Sequence, residues 1–280
     1  MAFRLVDYEF TVGCDSDETA HVLGRLFAAC RVDRVARSAD RFQLRSPPGG
    51  ESSDLELMLG AKRLARASPA VVFDQLILET TTRTFERGEF VFVHAGVAAR
   101  HGVGVLLPAA PRSGKSTTVA GLVRAGFDFF SDEVAALDLS SGAVRPFPRP
   151  LMLSASSLTA IPGLEGELPA AYEAFRSMKH RMAPDDLRPG ALGDECRIAF
   201  IVAPTYSESA DTLLEPMSRA ETLQLLVEQC FNLDRFGARG FSLLSDVVRG
   251  ADCYRLTIGE LDGALTAVIG LFEALKRTTG

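Results

Sequence analysis

The stretch from Leu107 to Thr118 constrains the fold more than any other part of this chain. It reads Leu-Pro-Ala-Ala-Pro-Arg-Ser-Gly-Lys-Ser-Thr-Thr. An apolar run over 102–109 leads into it, and a segment with helical spacing over 115–126 follows it. A glycine-bearing loop between a buried strand and a helix is typical of a phosphate loop. The sequence therefore predicts an α/β unit whose loop binds phosphate groups.

The residue types of this loop suit an anion. Backbone N–H groups of the loop and of the helix N-terminus would point at a β-phosphate, and Gly114 would let the backbone approach it. Lys115 would reach the β- and γ-phosphates, and the Ser116 hydroxyl would complete a Mg²⁺ shell. The usual pattern begins with a glycine where this chain has Ala109. We expect ATP and Mg²⁺ as ligands. The expected nucleotide-binding residues are Ala110, Pro111, Arg112, Ser113, Gly114, Lys115, Ser116 and Thr117.

Two adjacent acids, Asp132 and Glu133, follow the apolar residues 127–130. In a P-loop fold the next strand runs beside the loop, so these carboxylates would face the metal and the γ-phosphate. They suit two roles, metal coordination and general-base help to an attacking hydroxyl. Alternation along a strand would send the two side chains to opposite sides, so both can serve only if a bulge or turn intervenes.

A histidine strand, the loop and the acidic pair together resemble a known family. The strings VHAGVAARHGVGVLLPAAPRSGKSTT and FFSDEVAALD are similar to the kinase domain of the bacterial HPr serine kinase/phosphorylase family. The chain also resembles a bacterial subgroup described as HPr-kinase-related kinases. The resemblance covers residues 85–280 and includes PFPRP, FNLDRFG, ARGFSLLSDVV and YRLTIGELDGAL.

The resemblance implies roles for individual residues. His94 matches the histidine near the reacting phosphoryl group, although a histidine in an apolar strand is by itself typical of a hydrogen-bonded core residue. Lys115 and Ser116 match the phosphate and magnesium residues. Asp132 and Glu133 match an acidic pair, two aspartates in the main family, that supplies base and metal contact. We expect Asp132 to be the base, with Glu133 or Ser116 holding Mg²⁺. The reverse division of roles between the two acids stays open.

The acceptor site is the least specified part of the sequence. The family segment that handles the substrate is not found, and PFPRPLMLSASS occupies its place. Arg149 suits a clamp on a phosphate or carboxylate, or a plain surface turn. His180 and Arg188 lie in a polar stretch that suits either a substrate loop or a surface loop.

The resemblance implies transfer of the γ-phosphoryl group of ATP to a hydroxyl. The expected acceptor is a serine of a peptide or small protein, a ribosomally made peptide included. A small-molecule alcohol kinase is one alternative, and a non-catalytic ATP-binding regulatory module is another.

The fold class expected is α/β, with two parts. Residues 86–280 would form a P-loop kinase domain of the HPr kinase / phosphoenolpyruvate carboxykinase-like type, with the strand ends near 108 and 131 side by side. Residues 1–85 would form a small α+β lobe. Its expected elements are an extended segment over 3–12, a helix from 16, strands over 41–46 and 54–59, and a helix over 68–85 with Ser68 as its cap. In the second part we expect strands over 90–99, 127–139 and 196–206 and a helix around 170–180.

Composition limits the class of protein. A formal charge of −6 argues against sequence-independent nucleic-acid binding. No window approaches the roughly 20 apolar residues of a membrane span, and the N-terminal residues MAFRLVDYEF do not have the pattern of a signal peptide. Five scattered cysteines indicate free thiols and a reducing cytoplasm. A homo-oligomer is left open.

Overall fold

The chain forms a mixed α/β structure in the computed structural model, which describes residues 1–48, 54–161, 163–164 and 180–279. The strands are β1 (Ala2–Leu5), β2 (Tyr8–Cys14), β3 (Arg31–Val32), β4 (Asp40–Arg45), β5 (Leu55–Leu59), β6 (Lys62–Ala67), β7 (Phe90–Arg100), β8 (Val103–Pro108), β9 (Asp128–Ser131), β10 (Val134–Asp138), β11 (Val144–Arg145), β12 (Leu151–Leu153), β13 (His180–Met182), β14 (Arg197–Tyr206), β15 (Leu213–Pro216) and β16 (Asp252–Ile258). The α-helices are α1 (Asp17–Leu26), α2 (Pro69–Glu86), α3 (Lys115–Arg124), α4 (Ala155–Ala160), α5 (Pro184–Leu187), α6 (Arg219–Glu228), α7 (Leu233–Arg249) and α8 (Leu261–Thr279).

The N-terminal residues build a sheet in the order β3-β1-β2-β4-β5-β6, against which α1 and α2 pack. The predicted start of α1 is confirmed, since the Ser16 side chain accepts a hydrogen bond from the Thr19 N–H. Proline at the first position of α2 is also confirmed. Ser68 occupies the N-cap of α2, but its side chain makes no capping hydrogen bond. That part of the prediction was wrong.

Two features of this sheet differ from the expectation. The segment over 3–12 is not one strand, because a tight turn with Val6 at φ 57° separates β1 from β2. Strand β6 was not predicted. It pairs only with β5 and forms an edge of the sheet. An edge strand with exposed Lys62 and Arg63 buries little apolar surface, so the hydrophobic alternation that predicts a strand is weak there.

The second sheet has the order β11-β10-β7-β8-β14-β16-β15, and β9 also pairs with β7. Strands β8, β14 and β16 are parallel, whereas β7 is antiparallel to β8, β9 and β10. All residues of β7 except its two ends are buried. Burial on both faces explains why the residues of β7 form a continuous apolar run.

The strand predicted over 127–139 is divided into β9 and β10, with Asp132 and Glu133 between them. The expected adjacency of the strand ends near 108 and 131 is also wrong, because β7 lies between β8 and β9. Both strands run antiparallel to β7 and therefore in the same direction. Two strand spacings, about 9.6 Å, therefore separate β8 from β9.

Residues 170–179 of the helix predicted around 170–180 lie outside the described residues. His180 itself begins β13, which pairs with β12 with His180 opposite Leu153. Within the described ranges, none of the helices combines the length and apolarity that crossing a bilayer requires. The five cysteines are free thiols, as expected, although Cys14 and Cys230 are only half-buried.

The apolar core beneath the first sheet extends beyond residue 85. Phe92, Val134, Ala136 and Phe147 belong to the same buried cluster as the side chains of the N-terminal strands. The two sheets therefore share buried apolar surface. The division of the chain at residues 85 and 86 stays a prediction.

Gly96 lets α3 approach β7 closely. A Cβ at this position would lie 2.7 Å from Val119 Cγ2, closer than carbon atoms pack in proteins. Since α3 begins at Lys115, its contact with β7 fixes where the loop before the helix stands relative to the sheet.

We expect Gly96→Ala to lower the free energy of unfolding by about 1–3 kcal/mol, the usual cost of overpacking a core. Urea unfolding followed by circular dichroism measures it. Gly270→Ala is the matched control, because a Cβ there meets nothing within 4 Å on α8, and alanine is the better helix former. Equal stabilities of the two variants would contradict the packing argument.

Candidate functional site

The predicted phosphate loop (residues 109–116) connects β8 to the N-terminus of α3. Arg112 (φ 67°) and Gly114 (φ 92°) both adopt left-handed backbone conformations, which is uncommon for arginine. Gly114 is the N-cap of α3, and no side chain caps the helix there. The Nζ of Lys115 donates to the carbonyl oxygens of Ala109 (2.9 Å) and Ala110 (3.2 Å).

This geometry suits an anion. The first N–H groups of α3 have no side-chain acceptor, and the positive end of the helix dipole lies at the same place. Lys115, although only 5% exposed, lies beside them. Ala109 replaces the usual glycine without displacing the lysine, because its carbonyl oxygen is what holds the Lys115 ammonium group.

Asp132 is completely buried next to this loop. The Ser116 hydroxyl lies beside its carboxylate and helps to lower its pKa, and the Met152 N–H lies 3.4 Å from Oδ2. Oδ1 is buried without a hydrogen-bond partner. Burial raises the pKa of the Asp132 carboxyl above its ordinary value. The Arg149 guanidinium and the Ser116 hydrogen bond act in the opposite direction.

Glu133 points to a different set of partners. Its Oε1 lies 3.1 Å from His94 Nε2, and its Oε2 lies 3.3 Å from Arg149 Nη2. Burial alone would raise the pKa of Glu133. The hydrogen bond from His94 and the positive charges of Arg149 and Lys115 outweigh it and lower the pKa from 4.5 to about 2. Glu133 is therefore a carboxylate throughout the physiological pH range.

A turn between β9 and β10 places the two acids. The Ser131 Oγ accepts hydrogen bonds from the N–H groups of Glu133 (3.1 Å) and Val134 (2.8 Å). The Ala95 N–H of β7 donates to the Glu133 carbonyl oxygen at 3.0 Å. The structure thus has the turn that both acids need if adjacent side chains are to serve one site.

Gln229 is a site residue that the sequence did not single out. Its Oε1 lies 3.0 Å from His94 Nδ1, and its carbonyl oxygen accepts the His94 N–H at 2.8 Å. His94 therefore lies between the Gln229 amide and the Glu133 carboxylate, so that its ring orientation is fixed at both nitrogens. Because Gln229 is 135 residues away in the chain, no local motif connects it to His94.

Phe231 was also missed. Its ring lies 5.7 Å from that of His94 and stacks on Phe85, with 4.7 Å between ring centroids and 17° between planes. The side chain is nevertheless 45% exposed. Phe231 is the first residue of FNLDRFG, one of the strings that resemble the HPr-kinase-related kinases. No function was predicted for that string, so Phe231 was not recognised as a site residue.

The candidate substrate residues occupy different places. Arg149 is brought into the site through its ion pair with Glu133. His180 lies on β13 opposite Leu153. Strand β12 is followed at once by α4, whose Ser157 Oγ accepts a hydrogen bond from Thr117 Oγ1 at 2.8 Å. His180 therefore belongs to the neighbourhood of the loop through β12 and α4.

Arg188 is not brought to the loop. Its guanidinium donates to the carbonyl oxygens of Val123 (3.3 Å) and Phe127 (3.0 Å) and forms an ion pair with Asp128 (3.2 Å). These partners lie at the C-terminal end of α3, about 15 Å along the helix axis from its first residue. In this structure Arg188 joins α3 to the start of β9.

The donor set near Ser116 fits Mg²⁺ with phosphates better than a protein-only metal cage. No cluster of three or more His, Cys, Asp or Glu side chains suited to a metal occurs among the described residues. Mg²⁺ in nucleotide sites needs only one or two protein ligands, because phosphates and water supply the rest. The Ser116 hydroxyl and the orphaned Asp132 Oδ1 are oxygen donors of the required kind.

The two acids should affect stability with opposite sign. Above pH 5 the raised pKa of Asp132 means that a buried charge costs stability, so Asp132→Asn should raise the melting temperature by roughly 2–4 °C, the effect of about 1 kcal/mol. This gain should disappear as the pH falls through the ordinary carboxyl range.

The lowered pKa of Glu133 adds stability above pH 4.5 that is lost toward pH 2, so Glu133→Gln should lower the melting temperature at pH 7. Thermal melts of both variants between pH 4 and 8 measure the effects. Shifts of the same sign at pH 7 would contradict the assignment.

No protein-family model and no curated protein matches this chain. Among solved structures the chain is similar to the Hpr(Ser) kinase/phosphatase from Coxiella burnetii. The two share 11% sequence identity, and the alignment covers 68% of this chain and 99% of that one, with a TM-score of 0.34. The family that the sequence resembles stays a prediction.

Proposed function

We propose that this protein is an ATP-dependent phosphotransferase that moves the γ-phosphoryl group to a hydroxyl, namely a serine of a peptide or small protein. One observation carries the proposal. Ser116 at the start of α3 lies close enough to the fully buried Asp132 to lower the pKa of its carboxyl, and the adjacent Glu133 pairs with His94. A loop suited to phosphates and a pair of carboxylates thus belong to one site. Free thiols suit the cytoplasm as its compartment.

The phosphates would be bound by the N-terminus of α3 and by Lys115. The backbone N–H groups neutralise charge on the β-phosphate without a side chain, and Lys115 exchanges its carbonyl partners for phosphate oxygens. Ser116 and Asp132 would hold Mg²⁺, which neutralises charge on the transferring phosphoryl group. Transfer between phosphate and hydroxyl depends mainly on this positioning and charge neutralisation.

Geometry supports a different division of roles from the one the sequence favoured. Asp132 is fully buried beside Ser116, which suits a metal ligand. Glu133 is 32% exposed in its side chain, so an acceptor hydroxyl can reach it. A base must first lie within hydrogen-bond reach of the proton it accepts. We therefore assign Glu133 to orient the hydroxyl and accept its proton late, which a loose transition state permits despite a low pKa.

His94 and Gln229 would fix the direction of the Glu133 carboxylate. His94 Nε2 donates to Oε1, and the Gln229 side chain at Nδ1 prevents the imidazole from rotating. Arg149 holds the second oxygen, Oε2. Because His94 binds Oε1 and Arg149 binds Oε2, the Glu133 carboxylate is held in one orientation. An acceptor hydroxyl would bind to the lone pairs that these two residues leave open. Exposed Phe231 beside His94 offers apolar surface for a peptide side chain next to the acceptor serine.

Transfer of label from γ-labelled ATP to candidate peptides or cell lysate tests the proposal. We expect label on serine with the wild type, and loss of both transfer and tight ATP binding in Lys115→Ala, because no other lysine lies in the loop. Lys276→Ala is the matched control, since Lys276 lies exposed on α8 and pairs with Glu273.

The outcomes separate the alternatives. Label on a small alcohol instead of a peptide would identify a small-molecule kinase. Tight ATP binding without transfer to any acceptor would indicate a regulatory module. Unchanged transfer by Lys115→Ala would overturn the phosphate-loop interpretation itself.

The division of roles between the acids predicts different kinetic defects. Glu133→Gln should cut turnover by roughly 10² or more, the scale of general-base catalysis, with ATP affinity within a few-fold of wild type. Asp132→Asn should mainly raise the Mg²⁺ concentration needed for ATP binding, as should Ser116→Ala. Mg²⁺ titrations of ATP affinity together with turnover decide this. A pure turnover defect in Asp132→Asn would restore the assignment of Asp132 as the base.

A further inference from the structure

Tyr206 is an exposed aromatic residue beside the predicted phosphate loop. It is the last residue of β14, and its side chain is 52% exposed. A Cβ placed on Gly114 would lie 3.9 Å from the Tyr206 Cβ, with Ile258 Cδ1 at 3.1 Å on the same glycine. The Tyr206 side chain therefore starts beside the loop glycine, and the residue is about half exposed.

The order of strands places Tyr206 on one definite side of the loop. Strand β8, which leads into the loop, has β7 on one side and the parallel strand β14 on the other. The carboxylates of Asp132 and Glu133 lie on the β7 side, where Ser116 contacts Asp132. A nucleotide whose terminal phosphate points at these acids must extend its other end away from them, across the end of β14.

Exposed aromatic surface at this point is unusual for the chain. Large exposed apolar side chains are few among the described residues, and Tyr206 is the one at the C-terminal end of a strand parallel to β8. Ligands of parallel sheets bind outside the carboxyl ends of the strands. An aromatic ring there offers a flat face on which any nucleobase can stack.

We propose that Tyr206 stacks on the base of the bound nucleotide. The inference depends on the proposed function for the presence of a nucleotide, and adds the residue that binds its base. Stacking uses only the flat face of the tyrosine ring and requires no hydrogen bond to the edge of the base. The contact therefore favours a nucleoside di- or triphosphate over inorganic phosphates and selects weakly among bases.

Affinities for ADP and for inorganic pyrophosphate, each with Mg²⁺, test the proposal by calorimetry. Tyr206→Ala should weaken ADP binding roughly tenfold and leave pyrophosphate affinity unchanged. Tyr206→Phe should keep the affinity for both, because it keeps the ring. Phe241→Ala is the matched control, an exposed aromatic on α7 with 48% exposure, and it should change neither affinity.

Each contrary outcome has a distinct meaning. Equal loss of ADP and pyrophosphate affinity in Tyr206→Ala would show that Tyr206 only supports the loop, and would overturn the stacking proposal. Unchanged ADP affinity in that variant would overturn it as well. If the wild type binds neither ligand, the proposed function fails together with the inference. Wild-type binding of pyrophosphate with intact ADP affinity in Tyr206→Ala leaves the proposed function standing.

Discussion

The hydrogen bond from the Ala95 N–H to the Glu133 carbonyl oxygen is the contact on which the site depends. It bridges the gap between β9 and β10, so that β7 holds two strands in line while the residues between them turn out of the ladder. His94 lies one position before this bond, and Gly96, which admits α3, lies one position after it. Three consecutive residues of one buried strand therefore set the acids, the histidine and the loop helix relative to one another.

The two adjacent acids, Asp132 and Glu133, differ in how readily they ionise, because their burial and their partners differ. Asp132 is fully buried, and its interactions with Arg149, Ser116 and the Met152 N–H do not offset the loss of hydration, so its charged form is costly. Glu133 has two cationic or donor partners, His94 and Arg149, and is stabilised as an anion. Perturbed pKa values cluster at functional sites, and structural ion-pair networks produce them as well.

The local parts of this arrangement could be read from the sequence, and the non-local parts could not. The loop before Lys115 follows from neighbours in the chain, where the glycine and the flanking strand and helix patterns carry clear signals, whereas the turn at Asp132 interrupts a segment that the pattern predicts as one strand. The insertion of β7 between β8 and β9 depends on pairing between distant segments, which periodicity does not encode. Gln229 reaches His94 from 135 residues away, and Arg188 donates to carbonyl oxygens at and after the C-terminal end of α3. Neither contact is encoded by a local motif.

The strand order also gives both sheets edge strands that offer few backbone groups for pairing with a strand of another molecule. Within the described residues, the first sheet ends in the two-residue strand β3 and in β6, which carries Lys62 and Arg63. The second ends in the two-residue strand β11 and in β15, which carries Glu215 and Pro216. Short, charged or proline-bearing edges resist strand-to-strand association. These edges therefore disfavour pairing between the sheets of neighbouring copies of the chain.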